Sequence, residues 1–165
     1  MPTQGLRFED LHVGLEFESP TRTVTETDVV MFAALTGDYS ELHTSEAFAK
    51  KTQYGRRVAH GLLGLALTHG LMWPRTGEMR DIAIALLGVS DWRFRGPIFL
   101  GDTVRVAYRI AEMRDSRKHP DQAIVTFEVQ LLGDDGAVLQ EGRKALLVSK
   151  QPLPAATESS EPSEC

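Results

Sequence analysis

The chain has 165 residues, a formal net charge of -5 and a pI near 5.5. That length suits one ordinary domain with a single core, and the acidic balance argues against general nucleic-acid binding, which shows as a basic excess. The single cysteine, Cys165, excludes an internal disulfide framework and a Cys-ligated zinc site.

In chain order, "MPTQGLRFEDLHVG" has no apolar core of the export type, and "LEFESPTRTV" predicts an early strand. "TVTETDVVMFAALTGD" pairs Thr25 with Asp28 in capping-box spacing, runs apolar from Val29 to Leu35 and stops at Gly37. That pattern predicts a short buried helix with glycine just past its end. "SEAFAKK" predicts another helical turn or two, with Ser45 as N-cap. "AHGLLGLALTHGLMW", residues 59 to 73, is apolar nearly all round and stops before Pro74, which predicts a buried helix. Its longest apolar run is broken by His69 and is too short to span a bilayer, so the expectation is a soluble, cytoplasmic protein with no membrane partner.

The second half changes period. "AIALLGVSDWRFRGPIF" predicts a strand interrupted near Gly88, then an extended piece with Trp92 and Phe94 on one face and Arg93 and Arg95 on the other. Val104, Val106, Tyr108 and Ile110 alternate with polar or small residues, and so do Val125, Phe127, Val129 and Leu131. "GDDG" predicts a hairpin turn, with "AVLQEGRKALLVS" as the returning strand. The economical architecture is an α+β fold, an antiparallel sheet wrapped around one long central helix, spanning residues 1 to 150 as a single domain. Open sheet edges are commonly covered by dimerisation, so a homodimer or an assembly of dimers is expected. Residues 151 to 165, "QPLPAATESSEPSEC", carry too little apolar surface to offset ordering entropy and predict a disordered tail.

The chemistry concentrates in "LTGDYSELHTSEAF", residues 35 to 48, where Asp38 and His43 share one short link. A carboxylate and an imidazole a few residues apart can hold one water and move protons near neutral pH. Ordinary loop chemistry is the competing explanation for these two residues alone. In "VAHGLLG", Gly61 stands at the predicted helix start, where unpaired N–H groups and the helix dipole favour an oxygen gaining negative charge. His60 is a second polar contact there, positioning a substrate, or simply a capping residue. "KKTQYGRR" groups Lys50, Lys51, Arg56 and Arg57 with no acid between Ala47 and His60, a stretch able to meet phosphates. Asp38, His43 and His60 match no defensible metal-ligand spacing, so no metal is expected.

The stretch "FAALTGDYSELHTSEAFAKKTQYGRRVAHGLLGLAL" resembles the signature of the MaoC-type dehydratases, the (R)-specific enoyl-CoA hydratases of hot-dog fold. That pattern runs aromatic, small residues, Gly-Asp, any residue, Asn-Pro, aliphatic, His, and later a His-Gly opening the central helix. Phe32, Gly37, Asp38, Leu42, His43, Ala47, His60 and Gly61 fall on it, and "DWRFRGPIFLGDTV" resembles the family's strand and loop after the helix. The resemblance covers about residues 8 to 149. It implies a hot-dog fold and a water held by Asp38 and His43, added syn across a 2-enoyl thioester whose oxygen meets the Gly61 N–H. It also implies an acyl-CoA substrate, or less readily an acyl-carrier-protein thioester, and no cofactor beyond the CoA of the substrate itself. Two positions depart from the pattern, Ser40 for the usual Asn and Glu41 for the usual Pro. Serine keeps one side-chain donor to hold the loop or the carboxylate, with shorter reach. Thr68 and His69 occupy a helix region where relatives carry small polar residues.

Two other functions compete. A hot-dog thioesterase generally needs a carboxylate on or near the central helix, and none stands between Ala59 and Trp73. A non-catalytic acyl-CoA-binding subunit is motivated by Ser40 and Glu41.

Overall fold

The computed structural model of the chain describes residues 5–73, 79 and 81–153. Within them a short 3₁₀ turn, Phe8–Asp10, precedes six strands that share one antiparallel sheet. These are β1 (Glu16–Glu18), β2 (Arg22–Thr23), β3 (Ala83–Phe94), β4 (Thr103–Asp115), β5 (Gln122–Gly133) and β6 (Val138–Ser149). The spatial order is β1-β4-β5-β6-β3, with β2 also pairing to β4. Four helices complete the described chain: α1 (Glu26–Thr36), α2 (Glu41–Thr44), α3 (Glu46–Ala49) and α4 (Gly61–Met72).

Period-two alternation places the core. Val104, Val106, Tyr108 and Ile110 on β4 and Val125, Phe127, Val129 and Leu131 on β5 are all buried. Leu63 and Leu67 of α4 join the same cluster, so the sheet's inner face wraps the helix as a hot-dog fold requires. Each fully buried side chain of this size contributes about 1.5–3 kcal/mol. The outer face carries ion pairs instead, with Glu128 accepting from Arg109 and Arg143 and Glu141 from Arg95.

The N-terminus of α1 forms as its sequence predicts. Thr25 accepts from the Asp28 N–H, Asp28 closes the capping box, and Gly37 ends the helix at φ 79°. Burial differs from expectation. Only Val29 and Ala33 of α1 are buried, while Val30, Met31 and Leu35 are exposed, because α1 lies on the rim with one side against the core. Likewise α4 buries Leu63, Gly64, Leu67 and Thr68 but leaves Leu62 60% exposed. The predicted break near Gly88 is a shift of register within one continuous strand, since β3 re-pairs with β6 on either side of it. The expected early strand is split by Pro20 into β1 and β2. Most of the tail expected to be disordered, residues 154–165, lies outside the described residues.

Candidate active site

Asp38 leaves α1 at Gly37, and the single turn of α2 swings His43 back toward it. The turn is tied by main-chain groups: the Ser40 carbonyl accepts from the His43 N–H at 2.9 Å and the Thr44 N–H at 3.2 Å. The Ser40 N–H donates to Asp38 Oδ1 at 3.2 Å. Ser40 thus holds the carboxylate with its backbone rather than with the hydroxyl expected from the sequence. His43 also lies inside a helical turn, not on an open loop, with Glu41 supplying the turn's first residue.

Two carbonyls fix two tautomers. A carbonyl can only accept, so His43 Nδ1 carries the proton it shares with Val58 O at 2.8 Å. His43 Nε2 is left as a lone-pair acceptor. His60 Nε2–H donates to the Asp38 carbonyl at 2.9 Å, which leaves its buried Nδ1 without a protein partner. The two imidazoles lie 3.9 Å apart between centroids, tilted by 32°, and Phe32 backs His60 at 5.0 Å. Asp38, His43 and His60 each offer one atom within 4.8 Å of the others. A chelated ion needs lone pairs converging on one point. With His43 Nδ1 spent on the Val58 carbonyl and His60 Nε2 on that of Asp38, one nitrogen of each ring remains to ligate an ion or to exchange a proton.

His60 is 2% exposed, pinned beneath the Asp38 link. Of the two roles the sequence left open, a polar contact for a substrate or a residue serving the helix start, this burial and the bond to the Asp38 carbonyl favour a structural one, with Phe32 and His43 packed against the ring.

Gly61 opens α4 as expected, and the first-turn N–H groups there have no partner within the helix. Gly61 and His43 line one cleft of about 330 Å³, together with Tyr54, Phe94, Ile98 and Gln140. Asp38 is not among the lining residues and reaches the site through its proximity to the two histidines. The helix start is held from the sheet. Gln140, 1% exposed on β6, donates from Nε2 to the Gly61 carbonyl at 2.9 Å. Its Oε1 accepts from Trp92 Nε1–H at 3.1 Å. Close approach requires Gly64, where an added Cβ would land on the Gln140 amide. At Gly61 an added Cβ would sit 3.1 Å from the Phe94 ring.

The cationic stretch divides. Arg57 is committed to Glu26 at 3.0 Å and Glu46 at 3.3 Å, which raise its pKa against burial. Arg56 lies over the Phe99 ring at 3.9 Å and 3.7 Å from Asp102. Lys50 and Lys51 are exposed. Thr68 is buried and returns its hydroxyl to the Gly64 carbonyl at 2.8 Å.

Two inward residues of β6 escaped the sequence reading. One is Gln140. The other is Lys144, 1% exposed, whose ammonium donates to His69 Nδ1 at 2.7 Å and Met72 Sδ at 3.4 Å. Burial pushes the Lys144 pKa down to about 8. Burial, then the Lys144 charge, lowers that of His69, so His69 is held neutral. The signal was parity: on "VLQEGRKALLVS" a glutamine and a lysine share the face of Leu146 and Val148.

Known proteins resemble this chain in the same parts. A 3-hydroxybutyryl-CoA dehydratase of Methylorubrum extorquens is 37% identical over 113 residues, 68% of this chain and 69% of that protein. An (R)-specific enoyl-CoA hydratase of Aeromonas caviae is 31% identical over 115 residues, 70% of this chain and 79% of the relative. Among solved structures, the monoamine oxidase regulatory protein from Archaeoglobus fulgius superposes with a TM-score of 0.83 at 32% identity, covering 92% of this chain and 99% of that one. Residues 11–130, which hold the histidine pair, α4 and most of the sheet, match the family model of the MaoC like domain, and the chain belongs to that family.

Proposed function

We propose that the protein adds water to a 2-enoyl-CoA thioester, or removes it from the matching 3-hydroxyacyl thioester, at Asp38, His43 and Gly61. The observation that carries this reading is the free lone pair on His43 Nε2. His43 lines a cleft shared with Gly61 and lies in a cluster with the Asp38 carboxylate. Both groups are acceptors, so one water donates to each and turns its oxygen lone pair toward C3 of the enoyl group. As the C3–O bond forms, His43 Nε2 takes the water's proton. The C2=C3 electrons move onto the thioester oxygen, which the Gly61 N–H stabilises as an enolate. One such backbone donor is worth about 3 kcal/mol in a transition state. His43 then returns the proton to C2 on the same face, giving syn addition, and Asp38 keeps the water in place. The chemistry calls on no metal and no cofactor other than the substrate's CoA.

Relatives named as a 3-hydroxybutyryl-CoA dehydratase and an (R)-specific enoyl-CoA hydratase support this reading. The exposed Lys50 and Lys51, with Arg56, are the cations we assign to the CoA phosphates. Arg57 serves the fold through its two carboxylates. The test is hydration of crotonyl-CoA, followed as loss of enoyl absorbance, by wild type, Asp38→Asn and His43→Gln. Equal rates in all three end the assignment.

We further propose that the protein works in the cytoplasm as a homodimer joined through β3. That strand is the sheet's edge, and Ile84, Leu86, Leu87, Val89 and Phe94 on it are all exposed. A long apolar edge invites pairing with a second copy. Among the described residues no helix is long and apolar enough to cross a membrane. Sedimentation analysis is expected to give twice the 18.3 kDa chain mass, and a single-chain mass at working concentration refutes the dimer.

A further inference from the structure

The far end of α4 holds a cation that the reaction above does not use. Lys144 is buried, and its partners, His69 Nδ1 and Met72 Sδ, are both neutral. No carboxylate among the described residues pairs with it. An ammonium has three N–H donors, and the described partners take two of them. Beside it lies a small space of about 20 Å³, with Phe17, Met72, Trp73, Met79, Tyr108 and Phe127 among its lining. That is room for a water. Trp73, which lines it, is 38% exposed.

An apolar strip connects this cation to the cleft. Phe94 packs against Gly61. Val89 and Leu86 pair across the sheet with Lys144 and Leu146, so they share the inner face, yet they are 38% and 44% exposed. Leu62 of α4 is also exposed. Two independent rulers give the length. From Gly61 to His69 is eight helical residues, about 12 Å. From Gln140 to Lys144 is four strand residues, about 13 Å. An acyl chain whose carbonyl oxygen meets Gly61 therefore needs medium length to end beside the lysine.

We propose that this strip seats the acyl chain and that Lys144, oriented by His69, binds a carboxylate at its far end, so that preferred substrates are CoA monothioesters of medium-length dicarboxylic acids. The proposal rests on the thioester reading above. A purely apolar acyl chain gains nothing from a buried ammonium, whereas a carboxylate supplies a counter-charge that none of the described residues gives it.

The test compares chain-matched substrates on the full-length protein. These are crotonyl-CoA, 2-hexenoyl- and 2-octenoyl-CoA, and the mono-CoA thioesters of 2-hexenedioic and 2-octenedioic acid. Wild type is expected to favour at least one diacid thioester over its monoacid match by about tenfold or more in kcat/KM. Lys144→Met is expected to abolish that preference through KM while leaving crotonyl-CoA turnover unchanged. Calorimetric binding of suberoyl-CoA against octanoyl-CoA reads the same preference without turnover. It serves if the variant does not fold, because wild type alone answers it. Turnover of crotonyl-CoA with no diacid preference at either length, or equal binding of the two saturated thioesters, overturns the proposal and leaves the hydratase reading intact. A clear binding preference with no turnover of any enoyl-CoA supports the subsite and sinks the hydratase reading instead.

Discussion

The two ends of α4 solve one problem, placing polar groups in an apolar interior, in opposite ways. At the N-terminal end the imidazoles are aimed by backbone: His43 by the Val58 carbonyl and His60 by the Asp38 carbonyl. Each bond consumes one nitrogen and sets the ring's orientation, leaving the two rings 3.9 Å apart between centroids. At the C-terminal end a charged group is buried outright, and Lys144 rests on a histidine nitrogen and a thioether. Neutral groups held by carbonyls can be buried at little cost, whereas an ammonium without a counter-charge weighs against folding. On the two proposals above, the first end transfers protons and the second recognises a charge.

The sharpest way to break the comparison is to remove a proton-handling group. Asp38→Asn and His43→Gln are each expected to slow crotonyl-CoA hydration by about 100- to 10,000-fold. The double variant should be little worse than the poorer single one, because the two residues act on the same water. Thermal melting should barely move for Asp38→Asn, since an amide oxygen can still accept from the Ser40 N–H. Additive losses in the double variant would mean that Asp38 and His43 do not share one step.

At the other end the expected effect is on stability. Burial lowers the Lys144 pKa from 10.5 to about 8, so the unfolded chain holds that proton more tightly than the folded one. Below pH 8 both states are protonated and the fold bears the full cost, up to about 3 kcal/mol. Between pH 8 and 10.5 the folded chain has released its proton, and the cost fades as pH rises through that window. Lys144→Met is therefore expected to raise unfolding free energy in urea by up to about 3 kcal/mol at pH 7 and by much less above pH 10. Destabilisation at pH 7 would show that the His69 and Met72 contacts outweigh the buried charge, and that Lys144 is a structural residue.

What could be read from the sequence divides along the same line. Thr25, Asp28 and Gly37 announce α1 because caps are local, and the β4 and β5 alternation announces the core because burial follows parity. Asp38, His43 and Gly61 stood out in the sequence through the resemblance to one family's signature. Their geometry did not, because it depends on Val58 and on His60, which approach from the far side of α3. For His60 the sequence leaves two readings open, a polar contact for a substrate or a capping residue, and only the fold puts Phe32 against its ring. Ser40 was read through its hydroxyl because side chains are what a sequence prints, although its main chain holds the turn. Gln140 and Lys144 were visible as polar residues at inward parity, but nothing local says which helix faces them.

Gln140 offers the smallest effect and links the two ends, because it lies on the same face of β6 as Lys144 and bonds the helix start. Gln140→Leu removes both the donor to the Gly61 carbonyl and the acceptor for the Trp92 indole N–H. An unpaired buried donor costs about 1–3 kcal/mol, so a loss of that size is expected in urea unfolding. The Gly61 N–H is the group assigned to the enolate, and loosening its residue should weaken transition-state binding more than substrate binding. A fall in kcat of about tenfold with KM nearly unchanged is the expected steady-state result, equivalent to about 1.4 kcal/mol. A structural role alone would lower stability and leave kcat in place, and a role in substrate contact would raise KM. Only the kcat-weighted outcome makes Gln140 the residue that sets the oxyanion donor.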